Sequence, residues 1–269
     1  MIPLSKAHDM IRQYSKTWYL PVVGLPPRLN EAASCAYLCM RGIDEIEDHP
    51  TMAAADRARL LRRVSAILQT HFSPADFQAA FEGYEDVLPP VSLQLGQWVT
   101  LAPIDIAPRV LDTFSVMAER MADWVESDFA IRTEQDLNRY TYAVAGTLVL
   151  LLSDLWGWFN HTDTNRTDAI GYGRALQAVN ILIDRDEDTG RGVDFWPHGW
   201  GLREMLGYVG RELALAQAYL DALPPGPARS FCEQPLITAR HAALNLKQAI
   251  DAGSEPRAYA AADGLAGRP

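Results

Sequence analysis

The run YAVAGTLVLLL at 142–152 restricts the fold more than any other stretch of the sequence. It carries no charged side chain, and as a helix its eleven residues span only about 16 Å. That falls well short of a hydrocarbon core of ~30 Å, and Ser153 and Asp154 interrupt the run, so it predicts a buried helix and no transmembrane anchor. From Tyr140 to Phe159 the pattern is apolar nearly all the way round, which requires cover on every side. Such a helix sits where other helices surround a deep cavity, and the rest of the chain must supply those helices.

It has the means to do so. RLNEAASCAYLCMRGIDEIED (28–48) places Ala32, Cys35, Ala36, Cys39, Met40 and Ile43 at amphipathic helical spacing, with Pro26 and Pro27 before it and His49-Pro50 after it. Further helices are predicted at 53–71, 74–86, 107–128, 133–160, 167–187, 201–221 and 226–250, with proline clusters at 88–91 and 223–227 as breakers. Strand alternation, internal repeats and linkers are absent. The expectation is one all-α domain over 1–250, followed by a disordered tail over 251–269. The N-terminal MIPLSKAHDMIRQYSK lacks the apolar core of a signal peptide, which points to the cytoplasm. A net charge of −10 argues against nucleic acid as a partner. Cys35, Cys39 and Cys232 are too few for a disulfide framework and read as buried small residues.

Two acidic clusters carry the chemistry. In RGIDEIED, Asp44 and Asp48 stand four apart and project from one helical face. In NILIDRDED, Asn180, Asp184 and Asp188 repeat that spacing, with Gln177 one turn earlier and Asp186 pointing elsewhere into solvent. One such ladder is commonplace at a solvated helix end. Two, each closing an apolar helix, suit Mg²⁺, which binds one or two carboxylates and completes its shell with water and phosphate. Ladders facing each other would hold a diphosphate through bridging ions, so an acidic protein could bind an anionic substrate.

These residues also resemble a known family, the squalene and phytoene synthases. RGIDEIED resembles its first acidic motif, and LQAVNILIDRDED followed by FWPHGW resembles its second with the Phe-Trp-Pro that follows. MADWV and YTYAVAG resemble the segments between, and SKTWYLPVVGLPPRL resembles the opening helix, so the likeness runs over about 12–200.

The resemblance implies the all-α fold of class I isoprenoid synthases, with a central cavity between helices. It implies head-to-head joining of two prenyl diphosphates, farnesyl diphosphate for instance, to squalene, presqualene diphosphate or a phytoene-like product. Two or three Mg²⁺ ions would be held by Asp44, Asp48, Asn180, Asp184 and Asp188. Ser15, Thr17, Arg41, Tyr140, Gln177 and Asn180 would contact substrate, and Tyr140, Asp44, Asp48 and Asp184 would act in catalysis. Val144, Leu148 and Val149 would line the cavity, with Ala145, Leu151, Leu152 and Tyr142 alongside. NADPH enters only if the product is reduced to squalene, and transient membrane contact would serve product release. Four departures stand out: Ile183 where the family keeps an Arg, Val149 in place of a Gly, Arg120 where a Gly precedes Met-Ala, and no Tyr in FCEQPLITARHAALNLKQ. They keep open an enzyme that uses a single prenyl diphosphate, as a terpene synthase or by releasing diphosphate. A prenyl-lipid-binding helical protein without activity is the third reading.

Overall fold

A computed structural model describes residues 2–251, so the tail expected from 251 onward lies, from 252, outside the described residues. Among the described residues there are helices and turns but no strand. In chain order the helices are α1 (Leu4–Tyr14), α2 (Lys16–Val23), α3 (Pro27–Glu47), α4 (Ala54–Leu68), α5 (Pro74–Ala80), α6 (Pro90–Leu93) and α7 (Leu95–Trp98). They continue with α8 (Ala107–Glu126), α9 (Glu134–Thr141), α10 (Thr147–Asn160), α11 (Arg166–Ile183), α12 (Arg185–Gly190), α13 (Leu202–Ala222) and α14 (Pro227–Asp251). The described residues divide into two compact units, one of residues 2–14 and 22–128, the other of 15–21 and 129–251.

In the first unit α3 is the central helix. Pro27 occupies its first turn, where a missing N–H costs nothing, and the chain leaves it at Asp48 before His49-Pro50. Its burial exceeds the amphipathic pattern read from the sequence, since nearly every residue from Ala32 to Ile43 is inside. Alanines, cysteines and a glycine make that packing close. At Gly42 an added Cβ would meet the Val91 carbonyl oxygen at 3.0 Å, and the Ser92 hydroxyl donates to the Gly42 carbonyl at 2.8 Å. The α6 turn is thereby held against the last turns of α3. Helix α5 ends six residues earlier than predicted because the chain turns at Gly83, whose φ of +84° favours glycine. Helices α1, α6 and α7 were not among the predicted segments, while α2 falls in the stretch likened to an opening helix.

In the second unit α9 and α10 form one continuous helix, Glu134–Asn160, widened by a π turn at Tyr142–Gly146. Its 27 residues are long and apolar enough to cross a membrane, which corrects the eleven-residue measure above. Asp154 does not end the helix, because Arg166 pairs with its carboxylate at 2.7 Å. Nor is the helix covered all round: half of its most apolar window is buried. The fully enclosed helix of this unit is α11, whose Ala169–Leu182 stretch is almost wholly inside. Glycines make this fit, as in α3. A Cβ at Gly171 would lie 2.4 Å from Leu215 Cβ on α13, and one at Gly173 would lie 2.4 Å from the Ala145 carbonyl oxygen in the π turn.

A buried polar network ties α9, α11 and α13 together. Arg174 donates to Glu212 Oε1 at 2.7 Å, to the Tyr208 hydroxyl at 3.3 Å and to Asn138. The Tyr208 hydroxyl in turn donates to Asn138 at 2.9 Å. Burial raises the Glu212 carboxyl above its ordinary range, opposed by the Arg174 charge.

Three outcomes follow for stability. Gly173→Ala lowers it by about 2 kcal/mol despite alanine's better helix propensity, because the methyl group overlaps backbone. Gly210→Ala on α13, where nothing lies within 4 Å, raises it by about 0.5–1 kcal/mol; denaturant melts of both variants compare the signs. Glu212→Ala strands the Arg174 charge and costs about 3 kcal/mol by the same measurement.

Candidate active site

Both acidic ladders occupy the C-terminal ends of enclosed helices. The first closes α3. Asp48 is its C-cap, with its amide donating to the Asp44 carbonyl at 2.9 Å. A helix C-terminus is the negative end of the macrodipole, so acids there are disfavoured unless a cation compensates them. Arg41 supplies the compensation from one turn back, donating to Asp44 Oδ2 at 3.2 Å and to Glu45 Oε1. Its side chain is only 2% exposed, and its guanidinium carbon lies 5.4 Å from the Tyr14 ring centroid. Burial works to lower the Arg41 pKa, but Asp44 and Glu45 outweigh it, so the guanidinium stays charged. Tyr14 is itself pushed up, by burial and by Glu45. Tyr14 and Glu45 were missed from the sequence, although Glu45 stands at i+4 from Arg41 and the spacing could have shown it.

The second ladder closes α11. Gln177 and Asn180 are buried in its last turns, and Asp184 sits at the break before α12, with φ −90° and ψ 8°. The predicted uninterrupted helix over 167–187 is therefore two helices. Asp184 bridges the break, its amide donating to the Asn180 carbonyl at 2.8 Å and its carbonyl accepting the Asp188 amide at 2.8 Å. The ladder's register survives for that reason. Asp188 is buried and accepts from Arg191, a partner at i+3 that the sequence reading did not single out. Asp186 is exposed, as expected.

The segment after α12 organises the rest of this unit's candidate residues. Phe195 stacks on Tyr140, with centroids 4.7 Å apart and planes 18° from parallel, and Phe129 meets the same ring edge-on at 6.2 Å. Tyr140 is thus a buried tyrosine in an aromatic cluster, next to the π turn. The Trp196 indole donates to the Ile181 carbonyl at 3.4 Å and carries the Arg185 guanidinium 3.8 Å above its ring. Arg185 also pairs with Asp194 at 3.0 Å, so its charge is engaged there and does not replace the Arg missing at Ile183. Val144 and Val149 are buried, and Leu148, with Ala145 and Leu152, forms a half-buried stripe on the same helix. Ser15 is buried and caps α2, its hydroxyl oxygen accepting the Trp18 amide at 3.0 Å, while Thr17 is half-buried.

The five oxygen residues named as metal ligands fall into two sets, Asp44 with Asp48 and Asn180 with Asp184 and Asp188. Among the described residues no group of three His, Cys, Asp or Glu side chains gathers closely enough to hold a metal ion. The described residues alone therefore build no closed cage. The donor chemistry still fits Mg²⁺, which takes few carboxylates and relies on water and phosphate oxygens for the remainder.

Comparison with known proteins bears on the same stretch. Residues 11–207 match the family model for squalene/phytoene synthase. The chain is 27% identical over 207 residues to the squalene synthase of Eremothecium gossypii, a match covering 72% of this chain and 46% of that protein. It is 30% identical over 212 residues to the 15-cis-phytoene synthase of Synechococcus elongatus, covering 72% and 62% respectively. Against the human squalene synthase it is 26% identical over 207 residues, again covering 72% of this chain and 46% of the relative. It spans about half the length of the fungal and human relatives it matches. Among solved structures it is similar to TcSQS in complex with BPH1237, with a TM-score of 0.73 at 18% identity over 89% of this chain and 77% of that one. It also matches a dehydrosqualene synthase in complex with ligand, with a TM-score of 0.60 at 20% identity over 91% and 86% of the two chains. The fold is accordingly the all-α isoprenoid synthase fold, and the chain belongs to the squalene/phytoene synthase family.

Proposed function

We propose that the protein is a Mg²⁺-dependent prenyltransferase that joins two prenyl diphosphates head to head. The observation that carries this reading is the pair of acid ladders, one closing α3 with Asp44 and Asp48, the other running from Asn180 at the end of α11 through Asp184 to Asp188 in the first turn of α12. Asp44, Asp48, Asn180, Asp184 and Asp188 would hold the ions. Bound Mg²⁺ would neutralise the leaving diphosphate and so ease ionisation of an allylic C–O bond.

This chain's own residues do the remaining work. Arg41, held charged in a buried position, offers a fixed cation to a diphosphate oxygen. Ser15, Thr17, Gln177 and Asn180 orient the substrate by hydrogen bonds. The Tyr140 ring, fixed between Phe195 and Phe129, keeps its phenol placed to accept or return a proton. Apolar side chains such as Val144, Leu148 and Val149 exclude water, which would quench a carbocation. The cytoplasmic location expected from the sequence belongs to the same proposal. NADPH would be consumed only in forming squalene itself.

A second reading keeps the metal chemistry but takes one prenyl diphosphate, as a terpene synthase or a diphosphate-releasing enzyme. It is favoured by Ile183, since Arg185 is engaged with Asp194 and Trp196 and leaves the diphosphates one cation short. Product analysis separates the two. Incubation with farnesyl diphosphate and Mg²⁺ yields a C30 compound on the head-to-head reading, and C15 products alone contradict it. Asp44→Ala and Asp184→Ala each lower kcat/KM by at least about a hundredfold; turnover equal to the unmodified protein in either variant contradicts the metal assignment.

A further inference from the structure

Gly207 and Gly210 stand in the interior of α13, in the second unit, where glycine lowers helix stability relative to alanine. Other helical glycines of this unit are closely packed: a Cβ at Gly171 or Gly173 would collide with a neighbour. At Gly207 and Gly210 the described residues supply no such neighbour. A Cβ at Gly210 would meet nothing within 4 Å, and one at Gly207 only the Arg211 guanidinium, at 4.0 Å. Both glycines open onto a groove of about 1400 Å³ between α13 and α14. Its apolar walls are Leu206 and Leu213 on one helix and Leu236 and the half-exposed Leu244 on the other.

Size, backbone and charge each narrow what fits this groove. Its volume exceeds the ~300–1,000 Å³ of small-ligand pockets. From Arg203 to Gln217 it follows α13 for about 21 Å, the length of four turns of a helix laid alongside. Bare backbone at Gly207 and Gly210 lets a rigid element approach more closely than side chains allow, a feature of no use to a fluid acyl chain. The charge is of one sign: Arg203, Arg240, His241 and Lys247 line the groove, with no Asp or Glu, in a chain of net charge −10. At 0.1 M salt charges more than about 10 Å away are largely screened, so an occupant meets this cationic rim and not the net charge. A second copy docking by the same face would set these cations against their like.

We propose that the groove receives a helix of a partner protein, amphipathic and flanked by Asp and Glu. Its apolar residues, at i, i+3, i+4 and i+7, meet Leu206, Leu213, Leu236 and Leu244, with a small residue over Gly210. Its acids meet Arg203, Arg240 and Lys247. The proposal is independent of which isoprenoid product is formed.

Fluorescence anisotropy of two labelled synthetic peptides, titrated with the full chain, tests it. Both are helical and about 20 residues long, with Leu along one face and Ala at its centre. The flanks carry Glu in one peptide and Lys in the other. The expected result is binding of the Glu peptide at least about tenfold tighter than the Lys peptide, a preference that shrinks as salt is raised. Arg240→Glu with Lys247→Glu, both at exposed positions, inverts the preference. Gly210→Leu fills the groove and weakens the Glu peptide at least about tenfold, while the thermal midpoint stays at or above that of the unmodified protein. Equal affinity for the two peptides, or undiminished binding by Gly210→Leu, overturns the proposal. So does a dimer in velocity sedimentation that Gly210→Leu dissociates, since a second copy would then hold the groove. Co-sedimentation with phosphatidylglycerol vesicles in place of binding to either peptide overturns it as well, the occupant then being lipid.

Discussion

The arrangement on which the rest depends is electrostatic: acids at the C-terminal ends of two enclosed helices. A carboxylate there faces the negative end of the helix dipole and the other acids of its own ladder. Left to itself such an end is destabilising, and at α3 the chain answers it with the Arg41 guanidinium. Arg41 reaches forward to Asp44 and Glu45, and Arg191 reaches back to Asp188. These pairs hold the ladders folded. Binding a divalent ion would relieve the same repulsion, which couples the energetics of the fold to the chemistry proposed for it.

Helices α3 and α11 can carry these ends because they are packed so closely. Gly42 admits the α6 turn, and Gly171 and Gly173 admit α13 and the π turn on two sides of α11. A closely packed helix holds its last turn in one place, and preorganised ligands are effective because little remains to be ordered at the moment of binding. The aromatic trio of Tyr140, Phe195 and Phe129 does comparable work for the phenol, joining residues far apart in sequence into one rigid cluster.

Much of this was legible in the sequence. The helical class, the limits of α3 and the spacing of both ladders followed from periodicity, proline placement and acid patterning. The central helices did not. Hydropathy pointed to 140–159, whereas the enclosed helices are α3 and α11, rich in Ala, Gly and Cys. Small residues score as neutral in hydropathy yet permit the closest approach, so burial by fit escapes a measure of burial by oiliness. The break at Asp184 escaped because no proline or glycine marks it: one helix ends and the next begins at that residue. The stack of Phe195 on Tyr140 needs a contact across 55 positions, which no local pattern encodes.

The central claim is that the ladders bind a diphosphate through Mg²⁺. Calorimetric titration of the full chain with a thiodiphosphate analogue of farnesyl diphosphate, with Mg²⁺ and then with chelator, tests it most directly. The account predicts affinity that falls by at least about a hundredfold when the ion is withheld, since the acids then repel the anion unscreened. Equal affinity in the presence and absence of Mg²⁺ would contradict it.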